Sequence, residues 1–477
     1  MKINGKNISL VTADSRKVIP GCLFVAVKGF AGDGHAYIPQ AVEKGAAVVM
    51  YDADTLAPEV EAALAKVTAI KVDDSRLALA RAADEFYDHP SSKLKLVGIT
   101  GTNGKTTTVT LLHQLFMNLG YNCGLLSTIA NYVGKRETET TNTTSDPVTI
   151  NRLMADMVNE GCEYCFMEVS SIGMEQQRVA ALHFAAGIFS NLTHDHLDYH
   201  KTFAEYLRCK KLFFDGLGSD AVAITNIDDK NGKVMVQNTA ARVVTYALGA
   251  MADHNCRIME ESFDGMLLKI DGEEVWTRLI GRHNAYNLLA IYTTALELGA
   301  TKEEALVGIS KLDSAKGRLE TLKGPRNLSV ILDYAHTPDA LENVLSTLKD
   351  IAKDGRQVIA VFGCGGDRDR TKRPEMAAVA EKYADRIIIT SDNSRSEKTE
   401  DIIAEIKTGL SARGLAKALS IADRAEAIRT AIMTAPDGAA ILLAGKGHET
   451  YQIIGTEHRH FDEREVVRDV FNSIEAI

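Results

Sequence analysis

The chain has 477 residues, about three domains at roughly 150 residues each, and 45% of them are hydrophobic, which excludes a disordered tail or a small stapled module. With 54 Lys and Arg against 64 Asp and Glu the net charge is −10, so the surface repels phosphate backbones and anionic lipid, and nucleic acid and membranes are poor partners. Seven scattered cysteines fit reduced thiols better than a disulfide framework; with no leader pattern in Met1–Ser9 and no apolar run of about 20 residues, a cytoplasmic protein without membrane insertion is expected.

Short runs of Val, Ile and Leu alternate with longer stretches of helical periodicity, the pattern of parallel strands joined by crossover helices, so the fold class is α/β. The clearest predicted strands are 46–51, 94–99, 164–169, 221–226, 328–333, 357–362, 386–390 and 440–444. Their near-continuous apolar character implies sheets covered on both faces. Turn-rich breaks at His89-Pro90-Ser91-Ser92 and Lys323-Gly324-Pro325 divide the chain into domains of residues 1–93, 94–323 and 324–477. Asp264-Gly265 and Asp271-Gly272, between short alternating runs, mark hairpins inserted in the middle domain.

The strand ending at Ile99 runs into Thr100-Gly101-Thr102-Asn103-Gly104-Lys105-Thr106-Thr107 and then a helical pattern. Backbone N–H groups of such a loop cradle phosphate oxygens at a helix N-terminus; Lys105 neutralises the β- and γ-phosphates and the Thr106 hydroxyl holds Mg²⁺. The general phosphate-loop pattern asks for Gly where Ile99 stands, so the motif is incomplete although its Gly-Lys-Thr end is intact. A Gly-rich turn that happens to contain Lys is the bland alternative.

Glu168 closes one apolar strand, and a later one leads into Asn191-Leu192-Thr193-His194-Asp195-His196-Leu197-Asp198-Tyr199-His200. A metallohydrolase pattern nearly fits this run, but Tyr199 displaces the last His, and a hydrolase has no use for a phosphate loop. His194 and His200, taken singly, are equally readable as satisfied polar residues at a strand end. Cys162-x-x-Cys165 has no second pair, and Cys165 lies within an apolar strand, so core thiols are expected rather than zinc.

In the last domain four successive strands end in polar or Gly-rich loops: Asp333-Tyr334-Ala335-His336, Gly363–Arg368, Ser391-Asp392-Asn393-Ser394-Arg395 and Gly445-Lys446-Gly447-His448-Glu449. In a parallel sheet these loops share one edge, where open α/β sheets bind ligands. Arg368 and Arg395 suit carboxylates, and Asp392 and Glu449 suit an ammonium group.

Taken together, these residues resemble the Mur ligases, and within them the MurE-type ligases that add the third amino acid of the peptidoglycan stem. The resemblance runs over nearly the whole chain, through Asp14-Ser15-Arg16, Asp33-Gly34-His35, the loop 100–107, Asn142-Thr143-Thr144, Met167–Ser171, Asp195–His200, Asn284 and Asn287, Gly317-Arg318, Asp333–Asp339, Gly363–Arg368 and Gly445–Glu449. It implies a UDP-binding α/β domain, a central phosphate-loop ATPase-like parallel sheet and a C-terminal Rossmann-like domain. It also implies an ADP-forming ligase of cell-wall synthesis, with UDP-N-acetylmuramoyl-L-Ala-D-Glu, ATP and an amino acid as substrates and Mg²⁺ as cofactor.

By the same resemblance Ser15 holds the uridine, while Thr143, Thr144, Ser170, Gln176 and Arg178 receive the sugar-dipeptide. ATP falls to Gly101, Thr102, Asn103, Gly104, Lys105, Thr106, Thr107, Asn284, Arg318 and Asp333, and magnesium to Thr106, Glu168 and His196. Lys210 matches a lysine that similar ligases carbamylate with CO₂, giving Mg²⁺ an anionic oxygen ligand; residue physics alone makes it a solvated helix lysine. Lys105, Glu168, His196 and Lys210 are then the catalytic set. Ile172 and His194 depart from the common His and Arg at their positions without removing a group assigned to chemistry. Domain closure around the reactants and a monomeric state are expected.

MurE-type ligases that add meso-diaminopimelate resemble one another in a loop reading Asp-Asn-Pro-Arg. This chain reads Asp392-Asn393-Ser394-Arg395, keeping the Arg and losing the Pro, which frees φ and leaves the loop less preorganised. The expected amino acid is meso-diaminopimelate, contacted by Arg368, Asp392, Asn393, Ser394, Arg395, Gly445 and Glu449; L-lysine is the alternative. A folylpolyglutamate synthetase-like ligase shares the phosphate loop but lacks the Asp14–Arg16 domain. An ATP-driven motor or switch would need no amino acid, and a non-catalytic UDP-sugar-binding protein would need neither Lys105 nor Glu168.

Overall fold

The computed structural model describes all residues except 30–31, 141, 194–196, 201, 354 and 476–477, and at 197 and 198 the backbone alone. Contacts divide the chain into two compact units, one of Met1–Asn255 with Tyr286–Gly308 and the other of Cys256–Ala285 with Ile309–Ile477.

Besides the short antiparallel pair Lys2–Ile3 and Lys6–Asn7, two larger sheets build the first unit. Near the N-terminus, Val11–Thr12, Leu23–Val25, Val48–Tyr51 and Thr68–Lys71 form a four-stranded parallel sheet. Alternation along its strands sends Phe24 and Val49 to one core and Leu23, Val25 and Val48 to the other, as a parallel sheet covered on both faces requires. The strand predicted over 46–51 starts at Val48 because the Ala46 N–H still closes the preceding turn onto Ala41 O.

The larger sheet runs in the order Arg136–Thr138, Asn131–Val133, Cys123–Leu126, Tyr164–Glu168, Lys95–Thr100, Ala186–Phe189, Val222–Asn226 and Arg242–Ala247, parallel from Cys123–Leu126 onward. Lys95–Thr100 comes first of the parallel strands in sequence and sits in the middle in space, so the chain goes to one side of it and then to the other. That makes its C-terminal end a topological switch point, where the crevice for a ligand opens. All seven cysteines are buried free thiols, as expected for Cys162 and Cys165.

In the second unit a six-stranded sheet has the order Glu320–Lys323, Ser329–Asp333, Ala440–Ala444, Val358–Phe362, Arg386–Ile389 and Ala418–Ser420, with the first strand alone antiparallel. Odd and even residues again separate. Ile359, Val361, Ile441 and Leu443 face one core, and Ala360, Phe362, Leu442 and Ala444 the other. Asp333 pairs with Ala444, Ala444 with Phe362 and Phe362 with Ile389, so four strands end in register and their loops share one edge. The hairpins expected in 250–277 are present as antiparallel strands His254–Ser262, Gly265–Ile270 and Glu273–Thr277; from Cys256 they cluster with the second unit.

Among the described residues no helix is long and apolar enough to cross a membrane.

Candidate active site

The loop after Lys95–Thr100 is shaped by its neighbour. Asn191 accepts the Thr102 N–H on its carbonyl (2.8 Å) and the Asn103 N–H on its side chain (3.0 Å), and Ser190 Oγ donates to Asn103 O (2.7 Å). Gly104 turns into the helix Lys105–Asn118 at φ +88°, and a Cβ there would lie 2.4 Å from Asn287 Oδ1, so glycine is required twice over. The Lys105 ammonium reaches back to Gly101 O and Thr102 O at 2.9 Å, which holds it over the loop that would cradle a phosphate. The absence of Gly at Ile99 does not disturb this, because that residue is a buried rung of the strand.

Glu168, 1% exposed at the end of the adjacent strand, accepts the Thr106 hydroxyl (3.0 Å) and the Thr128 N–H (2.8 Å) on its two oxygens. Its carbonyl takes the Thr144 hydroxyl (2.9 Å), and Thr144 Oγ1 in turn accepts the Ser170 N–H (3.0 Å). Thr128 also donates to Thr143 Oγ1. One buried carboxylate thus links the phosphate loop to the residues expected to receive the sugar-dipeptide. Thr106 and Glu168 present hard oxygen donors side by side, the donor chemistry Mg²⁺ takes. His194 and His196 lie outside the described residues. Among those described, no three His, Cys, Asp or Glu side chains gather as a metal cage; Mg²⁺ needs only one or two protein carboxylates.

Lys210 corrects the reading from residue physics alone. It is 1% exposed rather than solvated, on the inner face of the helix Phe203–Asp215, with its ammonium 2.7 Å from Gly101 O and 4.7 Å from the Tyr206 ring centre. Tyr206, which sequence reasoning did not single out, also contacts Thr102 through its hydroxyl (3.1 Å). His200 is a satisfied core histidine, 2.9 Å from Ser171 Oγ and packed on Tyr206.

A cavity of about 190 Å³ in the same unit is lined by Lys28, Arg76, Asn142, Asp146, Gln176 and Arg178 together with apolar and glycine residues. Arg178 is fixed by hydrogen bonds to Thr144 O (2.5 Å) and Gln176 Oε1 (2.7 Å), and Arg76 by Lys28 O (3.0 Å). Three cations against one carboxylate suit an anionic ligand. Asp146 lines the wall as N-cap of Pro147–Asn159, and Arg76 and Leu79 come from Ser75–Phe86, whose N-cap is Asp74. Ser15 is buried in the turn Ser15–Lys17 and is not part of the lining; the neighbouring Asp14 carboxyl is held down at about 2, chiefly by its hydrogen bond with Arg16.

In the second unit Asp333 ends its strand with both oxygens taken, by Leu319 N (2.8 Å) and Ala335 N (2.9 Å), and burial pushes its carboxyl up. Arg318 lies over Tyr334 at 5.0 Å, and its Nε is buried without a hydrogen-bond partner among the described residues. Burial, then Arg318 and Arg464, pull the His448 ring down to about 4; it packs against Tyr334 as well. Asn284 is buried and donates to Ile280 O (2.8 Å).

The loop Ser391–Arg395 is tied down despite lacking proline. Gln452 donates to Ser391 Oγ and Asp392 O (2.9 Å each), Ile453 N–H to Asn393 Oδ1 (2.9 Å), and Arg395 Nη1 to Gly366 O (2.8 Å). The expectation of a loosened loop is therefore corrected: long-range side-chain bonds do the work that a fixed φ would do. Gly445 stands where a Cβ would lie 2.6 Å from Asp392 Oδ2, which leaves room for that carboxylate. Arg368 is exposed, its guanidinium donating to Asp367 O (3.1 Å).

Three more charged residues escaped the sequence reading. Lys446, fully buried, bridges Asn393 and Glu449. Arg424 and Glu463, each 1% exposed, pair at 2.7 Å, and Arg424 also donates to Ser391 O and Ala444 O, holding two loop starts in place. Lys446 sits inside a noticed motif, but the other two look like ordinary helix charges and carry no local signal. Glu463→Ala should destabilise the protein by about 3–5 kcal/mol, since Arg424 would keep a buried charge without its carboxylate. An unfolding midpoint in urea equal to that of the unmodified protein would contradict this.

A phosphate loop at a sheet switch point and an anion-suited cavity in the first unit, and in the second a Rossmann-like edge carrying carboxylates and arginines, fit a multidomain α/β ligase that uses ATP. The chain belongs to the Mur ligase family: its models match residues 7–87 (Mur ligase family, catalytic domain), 99–295 (Mur ligase middle domain) and 317–447 (Mur ligase, glutamate ligase domain). The chain is 49% identical over 468 residues to the UDP-N-acetylmuramoyl-L-alanyl-D-glutamate--2,6-diaminopimelate ligase of Cytophaga hutchinsonii, covering 98% of this chain and 95% of that protein. It is 50% identical over 476 residues to the protein of the same name from Bacteroides fragilis, covering 99% and 97%. A solved structure bearing that name superposes with a TM-score of 0.72 at 30% identity, covering 100% of this chain and 98% of the other. As a Mur ligase the protein is an ATP-dependent, amide-bond-forming enzyme of peptidoglycan precursor synthesis.

Proposed function

We propose that this ligase joins meso-2,6-diaminopimelate to UDP-N-acetylmuramoyl-L-Ala-D-Glu, within three domains bounded near residues 93 and 323, as a cytoplasmic monomer. The free D-Glu carboxylate attacks the γ-phosphate of ATP, forming an acyl phosphate and releasing ADP. The amine of the incoming amino acid then displaces phosphate and forms the amide. In this reading the loop 101–107 binds the triphosphate, and Asn284, Arg318 and Asp333 the rest of the nucleotide. The unpartnered Nε of Arg318 is a donor awaiting an acceptor. Gln176 and Arg178 line the cavity that receives the anionic sugar-dipeptide, with Thr143, Thr144 and Ser170 behind them and Ser15 toward the uridine. Thr106, Glu168, His196 and a carbamylated Lys210 would hold magnesium, which supplies positive charge to the phosphoryl oxygens. Lys105 adds a fixed cation, and orientation of the two reactants supplies much of the remainder.

The observation that carries the choice of amino acid is Arg395, partly buried at the edge that also bears Asp392 and Glu449. Diaminopimelate has a second carboxylate for its planar fork and lysine does not. The direct test is phosphate release with ATP and UDP-N-acetylmuramoyl-L-Ala-D-Glu across candidate amino acids. Arg395→Ala should raise the KM for meso-diaminopimelate roughly ten- to hundredfold, the equivalent of a charged hydrogen bond, and change that for lysine far less. Better use of lysine than of meso-diaminopimelate by the unmodified enzyme would refute the amino-acid choice and leave the ligase standing.

A further inference from the structure

Lys446 has no assigned part in the reaction, yet it is a buried charge at the ligand edge of the second unit, with none of its surface exposed. Its ammonium lies 3.0 Å from Glu449 Oε2, 3.1 Å from Asn393 Oδ1 and 4.0 Å from Asp392 Oδ1. Asn393 completes the arrangement by donating to the same Glu449 oxygen (3.0 Å). The cation is thus built between the two carboxylates that would otherwise both await a ligand ammonium. A buried charge in this position changes what the edge can bind as well as how rigid it is.

The charges can be counted. Among the side chains assigned to the amino acid, the carboxylates of Asp392 and Glu449 balance Arg395 and Arg368, and Lys446 adds one positive charge beside them. A Cβ on Gly365 would meet Arg395 Nη1 at 3.0 Å and Arg368 Cγ at 3.7 Å, so the two arginines flank one glycine of this edge. A diaminopimelate whose reacting amine is neutral carries two carboxylates and one ammonium, one net negative charge. Lysine in the same reactive form is neutral. With Lys446 in place this set of side chains complements the first; without it the set would be neutral and would complement the second.

We propose that Lys446 is a specificity-determining positioning residue, which sets the pocket charge and holds Asn393 and Glu449 so that a dicarboxylic diamino acid is preferred over a monocarboxylic one. The inference rests on the amino-acid reading above. It is tested by measuring kcat and KM for meso-diaminopimelate and L-lysine in the unmodified enzyme, Lys446→Met and Lys446→Arg, with ATP and UDP-N-acetylmuramoyl-L-Ala-D-Glu saturating. Loss of a full charge a few ångströms from the ligand should lower the ratio of kcat/KM for diaminopimelate to that for lysine at least about tenfold in Lys446→Met. The fall should lie in the KM for diaminopimelate, and Lys446→Arg should keep the ratio within about threefold of the unmodified enzyme.

If Lys446→Met does not fold, the comparison is made between Glu449→Gln and Glu449→Gln with Lys446→Met, where removing the lysine strands one carboxylate fewer; the same shift toward lysine is expected. An unchanged ratio, or an equal loss for both amino acids, would reduce Lys446 to a loop clamp and overturn the proposal. Tighter binding of both amino acids by Lys446→Met would also overturn it, by showing that the lysine merely occupies the place of the ligand ammonium. An unmodified enzyme that prefers lysine would instead sink the reading on which the inference rests.

Discussion

Lys105→Ala should yield a protein that melts like the unmodified one but releases almost no phosphate, a loss of at least about 3 kcal/mol in transition-state stabilisation, or more than a hundredfold in kcat. The reason is electrostatic. The lysine is the cation of the phosphate loop, held by Gly101 O and Thr102 O beside the N-terminus of Lys105–Asn118. As the γ-phosphoryl group transfers, negative charge spreads over its oxygens and onto the leaving ADP, and neither backbone N–H groups nor magnesium replaces a fixed ammonium there. Folding should survive because the two carbonyls it contacts border a loop already fixed by Ser190 and Asn191. Near-normal turnover in this variant would end the assignment of the ATP site.

Lys210→Ala should be nearly inactive, by on the order of 10²- to 10³-fold as for loss of other electrostatic groups, and a short carboxylate such as formate or acetate should restore part of the activity. The Lys210 ammonium would first lose a proton to give the amine, which would attack CO₂, forming an N–C bond as one C=O π bond opens, and then lose a second proton to leave a carbamate with two oxygens. The side chain is withdrawn from solvent beside the phosphate loop, its tip 2.7 Å from the carbonyl of the first loop glycine; as a carbamate it would need a cation such as Mg²⁺ to balance its buried charge. Tyr206, whose ring faces the amine and whose hydroxyl meets Thr102, couples the helix to the loop. Active enzyme equilibrated with ¹³C-bicarbonate should show a carbamate carbon by NMR that Lys210→Ala lacks. Full activity of Lys210→Ala without added acid, or no such signal in active enzyme, would count decisively against the modification.

What the sequence by itself determined is what short-range chemistry encodes. Apolar runs such as 328–333 and 440–444 can be little else than buried strands, and Gly104-Lys105-Thr106 between a strand and a helix reads as a phosphate loop without coordinates. The four polar strand ends of the last third could be assigned to one edge because parallel strands in register leave no other place for them. Only the tertiary structure decided which charges are buried and what they face. Lys210 and Lys446 are chemically indistinguishable from solvated lysines in sequence, yet each is enclosed by groups distant along the chain, Gly101 for one and Asn393 for the other. The Arg424 and Glu463 pair, and the cavity that joins Lys28 and Arg76 to Gln176 and Arg178, likewise arise from segments tens of residues or more apart. Burial and electrostatic partnership are properties of three-dimensional neighbourhoods, so local pattern locates the reactive loops while packing settles how their charges are balanced.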